Sequence, residues 1–141
     1  MKYLVPCLLF LFSASAFAQD GRAGVHLTTS SDDGVGIRLI YALREEIRAS
    51  HGLRLSDTRS DSLIRLKVTT INPDSDSDNR TAYAFVITIR SPDNSALDTY
   101  WVDFVGTCGK DRVNSCASRL VAETDNVVTK IREIVMESAD K

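Results

Sequence analysis

Residues 33–55, DGVGIRLIYALREEIRASHGLRL, read as one amphipathic helix, a stop and the start of a strand. Gly36, Ile40, Leu43 and Ile47 recur at helical spacing and Leu39 widens their stripe. Arg38, Arg44, Glu45 and Arg48 fall off it, so one side of this helix requires a cover. Asp32 or Asp33 offers a carboxylate to the first free amides of the helix. Gly52 is placed to end it in the left-handed conformation just past the last turn. To the amino-terminal side, Val25 and Leu27 alternate with His26 and Thr28. To the other side, Leu53 and Leu55 alternate with Arg54 and Ser56, again the period of a half-buried strand. A helix between two such strands predicts a β-α-β unit with parallel strands and a right-handed crossover.

Three further strands follow at short intervals. In LIRLKVTTI, Ile64, Leu66 and Val68 point one way and Arg65, Lys67 and Thr69 the other. In TAYAFVITI, both faces are fairly apolar, which suits a strand inside a sheet. In LDTYWVDFVG, strict alternation puts Tyr100, Val102 and Phe104 on one face and Trp101, Asp103 and Val105 on the other. The polar turns NPDSDSDN (72–79) and SPDNSA (91–96) join these strands into an antiparallel meander. From Arg112 to Ser138, Val113, Ala117, Leu120, Val127, Ile131 and Ile134 mark a second long amphipathic helix. The order β-α-β-β-β-β-α predicts an α+β fold, a two-layer sandwich with both helices on one face of a mixed, mostly antiparallel sheet.

Residues 1–18, MKYLVPCLLFLFSASAFA, carry a lysine at position 2, an apolar run too short to span a bilayer and an Ala16-Phe17-Ala18 cleavage pattern. They read as a cleaved signal peptide, with residues 19–141 forming a single domain in the periplasm or outside the cell. Cys7 lies within the apolar run without the small-residue context of a lipidation site, so a soluble protein is expected rather than a lipoprotein. The chain has a formal charge of −2 with acids and bases interspersed, which argues against nucleic acid as a partner. No second apolar run reaches membrane-spanning length.

Candidate sites are few. Cys108 and Cys116 bracket GKDRVNS and, in an oxidising compartment, predict a disulfide stapling the last helix to the sheet rather than a redox pair. Asp74, Asp76 and Asp78 open like a calcium loop, but Asn79 and Phe85 stand where glycine and a bidentate glutamate belong. A solvated turn, available to a partner, is the better reading. Gly34-Val35-Gly36 lacks the third glycine and the lysine of the phosphate-binding loops, which leaves close packing. His26 and His51 lie at no ligand spacing from a cysteine, and no nucleophile elbow is present. No metal, cofactor or catalytic residue is expected. Trp101, pointing away from Tyr100 and Phe104, is a candidate docking anchor on the sheet face that the helices leave uncovered.

The run GIRLIYALREEIRASHGLRLSDTRSDSLIRLKVTTI, within residues 24–71, resembles a module of bacterial envelope proteins. That module is shared by the amino-terminal domain of the Tol-system translocation protein and the periplasmic domains of outer-membrane assembly lipoproteins, including the curli secretion channel family. The resemblance implies a non-catalytic periplasmic adaptor whose partner is a protein, and it carries over no functional residue. The competing expectation is a periplasmic inhibitor or immunity protein that blocks an enzyme in the same compartment, using a protruding loop such as Asp74–Asn79 or Gly109–Ser115.

Overall fold

The computed structural model describes residues 21–74, 76–91 and 97–139. The expected leader (1–18) and most of the 91–96 turn lie outside the described residues. The elements are β1 (Ala23–Ser31), α1 (Gly34–Ala49), β2 (Leu53–Leu55), β3 (Ile64–Ile71), β4 (Arg80–Arg90), β5 (Asp98–Gly109), a single 3₁₀ turn (Lys110–Arg112) and α2 (Val113–Ala139). The α+β class and the element order match the expectation.

Asp33 decides where α1 begins. Its backbone is extended, and its Oδ1 accepts from the amide of Gly36 at 2.6 Å, satisfying one of the free donors of the first turn. Its Oδ2 accepts from Thr81 Oγ1 on β4 at 2.8 Å, so the cap also ties the helix to the sheet. Gly36 is required at this junction. A Cβ there would overlap Thr70 Oγ1 and come within 2.7 Å of both Asp33 Oδ2 and Ser31 Oγ.

The other end of α1 differs from expectation. No described glycine has a positive φ, so Gly52 is not a left-handed cap. Ser50 ends the helix instead, its Oγ accepting from the amides of Gly52 and Leu53 at 3.1 Å each. Gly52 lies against α2, where a Cβ would overlap Oδ1 of the exposed Asp125 and oblige that side chain to turn aside.

The strands form one sheet in the order β2-β1-β3-β4-β5. β1 runs parallel to both its neighbours, and β3, β4 and β5 are antiparallel in succession. The connection from β2 to β3 must therefore cross β1 with residues 56–63, too few for a covering helix. It crosses at Gly24, where a Cβ would overlap the Asp61 carbonyl oxygen and stand 3.2 Å from Ser62 Cα. The amide of Leu63 donates to Gly24 O at 3.0 Å and locks the crossing.

The core lies between this sheet and the helices. Val25, Leu66, Val68, Phe85 and Ile87 from the strands meet Leu39, Leu43, Ile47, Leu120 and Val128, all of them buried. Each such side chain contributes about 1.5–3 kcal/mol on burial. Phe85 and Phe104 face each other across β4 and β5 with ring centroids 6.3 Å apart. The stripe of α1 is wider than the sequence spacing implies, taking in Val35 and Ala42 while Ile40 is only half-buried. On α2, Val113, Ala117, Leu120 and Val127 are buried as expected, but Ile134 is 55% exposed. The reason is length. At 27 residues α2 runs about 40 Å, whereas the 16-residue α1 beside it runs about 24 Å, so the last turns of α2 outreach their partner.

Candidate functional site

Strand alternation leaves a second face, turned away from both helices. Across β3, β4 and β5 it carries Ile71 opposite Ala82, Ala84 opposite Val105, and Val86 opposite Asp103. Val105 is 78% exposed and Ile71 52%. Ile71, Ala82, Ala84, Val86 and Val105 form an apolar strip, with the exposed carboxylate of Asp103 at its margin and no element of the described chain over it, on the long edge strand β5 and its neighbours.

Trp101 departs from its expected position. The register of β4 and β5 shifts between Ile87 and Thr88, so that Ile87 faces Val102 and Thr88 faces Tyr100. Trp101 is the extra residue of this β-bulge and lies half-buried against the core. Tyr100, expected beside Phe104, is turned to the open side instead and is 60% exposed. Its hydroxyl donates to Asp103 Oδ1, which, with a smaller effect of burial, raises the pKa of the phenol. The large aromatic presented by this edge is thus Tyr100. A bulge leaves no signal in a pattern of alternation, which is why strict period-two reading selected its neighbour.

The same face turns cationic toward the start of β3. Arg65, only 6% exposed, lies between His26 of β1 and Thr88 of β4. Its Nη1 pairs with Asp98 Oδ1, while Arg59, from the crossing loop, donates to Asp98 Oδ2 at 2.6 Å. Two guanidinium groups therefore share one carboxylate, and Arg90 stands close by, donating to the Ser60 carbonyl. Burial, then the charges of Arg59 and Arg90, pulls the pKa of Arg65 down. A cleft of about 330 Å³ opens beside this group, lined by His26, Arg59, Arg65, Lys67, Thr88 and Asp98 among others.

The acidic turn is held by its own bonds. Asp74 forms a two-bond ion pair with Arg80 at 2.7 and 2.8 Å, and its amide donates to Asn72 Oδ1 at 2.9 Å. Its pKa is lowered chiefly by the hydrogen bonds from Arg80. Asp78 lies over the start of α1, where a Cβ on Gly34 would come within 2.7 Å of its Oδ2. Asp76 remains exposed. Asp74 and Asp78 are thus turned to different partners, an arginine and a helix end, and not to a common point. The anion at the Gly34-Val35-Gly36 helix start is the chain's own Asp33. At the other end of β5 the disulfide Cys108–Cys116 is present, with Cα atoms 6.3 Å apart, and joins the sheet to α2. The protruding loop expected at Gly109–Ser115 is absent: Gly109 ends β5, Lys110–Arg112 is the 3₁₀ turn, and Val113–Ser115 already belong to α2.

A groove of about 680 Å³ on the helix layer exposes Ile37 and Tyr41, flanked by Arg38, Glu45, Glu46 and Asp111. Its two large apolar residues, one turn apart on α1, share the groove with five charged side chains, whereas the sheet strip runs across three strands. The open sheet face is therefore the stronger candidate surface.

No protein-family model and no curated protein matches the chain. Among solved structures it is similar to a point-substituted PelC dodecamer from Paraburkholderia phytofirmans, with a TM-score of 0.51 and 8% identity over 72% of this chain and 87% of that one. A second PelC dodecamer structure from the same organism aligns with a TM-score of 0.45 and 10% identity, over 72% and 86% of the two chains. At such identity the first likeness establishes a shared fold and nothing more.

Proposed function

We propose that this chain is a small exported protein, periplasmic or secreted, that works by binding other proteins as an accessory of cell-envelope assembly, without catalysis. The observation that carries this reading is the apolar strip of Ile71, Ala84, Val86 and Val105 on a sheet face with no layer over it among the described residues. Exposed contiguous apolar surface on a small domain favours association. The Cys108–Cys116 disulfide supports an oxidising compartment, and no described helix is long and apolar enough to cross a membrane. The similar solved protein is a dodecamer, which makes copies of this chain the first partner to test.

Residues 19–141 should form a discrete assembly by light scattering, or a stoichiometric complex with one envelope protein. Val105→Lys should abolish it while leaving the fold intact. A chain that is monomeric at every concentration and enters no stoichiometric complex contradicts the reading, and a one-to-one complex with an inactivated enzyme would make it an inhibitor.

A further inference from the structure

We infer that the cleft beside Arg65 is a carboxylate-binding site that receives an acidic side chain of the protein partner, with apolar residues of the same segment resting on the adjoining Val86–Val105 strip. This rests on the protein-binding reading above and names the chemistry of the segment bound.

The charge balance supports it. Arg59, Arg65 and Lys67 line the cleft and Asp98 is the single carboxylate among its lining residues. Asp98 already bridges the two guanidinium groups, so both of its oxygens are engaged. Lys67 is exposed and points from the next outward position of β3. Arg90, the cross-strand partner of Asp98, adds a further positive charge near the group. Cations gathered around one carboxylate in a partly enclosed cleft repel one another, and an incoming carboxylate relieves that repulsion where bulk water screens it least. Thr88 and His26 add polar groups to the wall, and Val86 joins cleft and strip. An acid flanked by apolar residues matches this surface. A bare sugar acid or inorganic anion would use only half of it.

The test is an amide chemical-shift titration of residues 19–141 with the blocked pentapeptide Val-Thr-Glu-Thr-Val. Its counterpart with Gln for Glu, sodium glucuronate and inorganic phosphate serve as separate arms. Saturable shifts are expected at 26–28, 65–67 and 86–88 with the Glu peptide. The Gln peptide and the Lys67→Glu variant should each bind about tenfold more weakly, and Lys67→Arg should restore binding. Added salt should weaken the Glu peptide alone. No saturable shift, equal binding of the Gln peptide, or shifts centred elsewhere overturns the inference. Glucuronate or phosphate binding as tightly as the peptide overturns the assignment to a peptide segment. If Lys67→Glu leaves the assembly or partner complex intact while Val105→Lys destroys it, the cleft fails and the protein-binding reading stands.

Discussion

The two faces of the sheet are made by the same strands and obey opposite rules. On the covered face, Val25, Leu66, Val68, Phe85 and Ile87 are fully or almost fully buried under α1 and α2. On the open face, Val105 and Ile71 remain in water, while Arg65 is the buried residue and lies against Asp98 and Arg59. Burial on one side is apolar and generic, and on the other it is ionic and specific. A buried guanidinium is costly unless paired, so a site that retains one is more informative about recognition than any number of valines in the core.

The largest effect that sharpens this contrast is on the covered face. Phe85→Ala should cost about 3–5 kcal/mol in denaturant unfolding, since it empties the centre of the core beside Phe104. Val105→Ala on the open face should change stability by less than about 0.5 kcal/mol. Equal losses at both positions would erase the distinction between the faces.

Next in size is the staple at the end of β5. Replacing Cys108 and Cys116 together by Ala should cost about 2–3 kcal/mol, the loop-closure value for a separation of eight residues, without altering assembly. Gly36→Ala comes third, at about 1–3 kcal/mol, because the new methyl group meets Thr70, Asp33 and Ser31 where the cap joins α1 to the sheet. Gly109→Ala, with open space around it, is the matching control and should be close to neutral.

The smallest effect concerns the acidic turn. Because the hydrogen bonds from Arg80 lower the pKa of Asp74 in the folded chain, its contribution to stability is present above the unfolded carboxylate pKa and is lost as pH falls through the folded one. Asp74 should titrate below the ordinary aspartate range by NMR, and Arg80→Gln should return it there. An unchanged titration in that variant would show that the turn is not held by this pair.

Much of the covered face was legible in the sequence because burial under a helix imposes a period. Gly36, Leu39, Leu43 and Ile47 of the α1 stripe, the alternation of Ile64, Leu66 and Val68, and a carboxylate cap at Asp32 or Asp33 all follow from local rules, though Ile40 is buried less than its period implies. What local rules missed depends on contacts distant in the chain. Gly52 looked like a helix stop, yet it lies against Asp125 on α2, and the small size of Gly24 answers the loop at Asp61. Ile134 kept the period of α2 after the supporting helix had ended. The open face was legible only in part. Asp103 and Val105 were placed on it correctly, but a bulge exchanged Trp101 for Tyr100. Arg65 looked like any outward charge until Asp98 and the crossing loop came over it.

Which layer meets the partner is decided by one paired measurement. Val105→Lys on the open sheet face and Tyr41→Lys on the helix layer both alter exposed residues, so both variants should unfold within about 0.5 kcal/mol of the parent. Measured by light scattering and stoichiometric capture, Val105→Lys is expected to lose the assembly or partner complex and Tyr41→Lys to keep it. Loss with Tyr41→Lys and retention with Val105→Lys would contradict the account and move recognition to the helices.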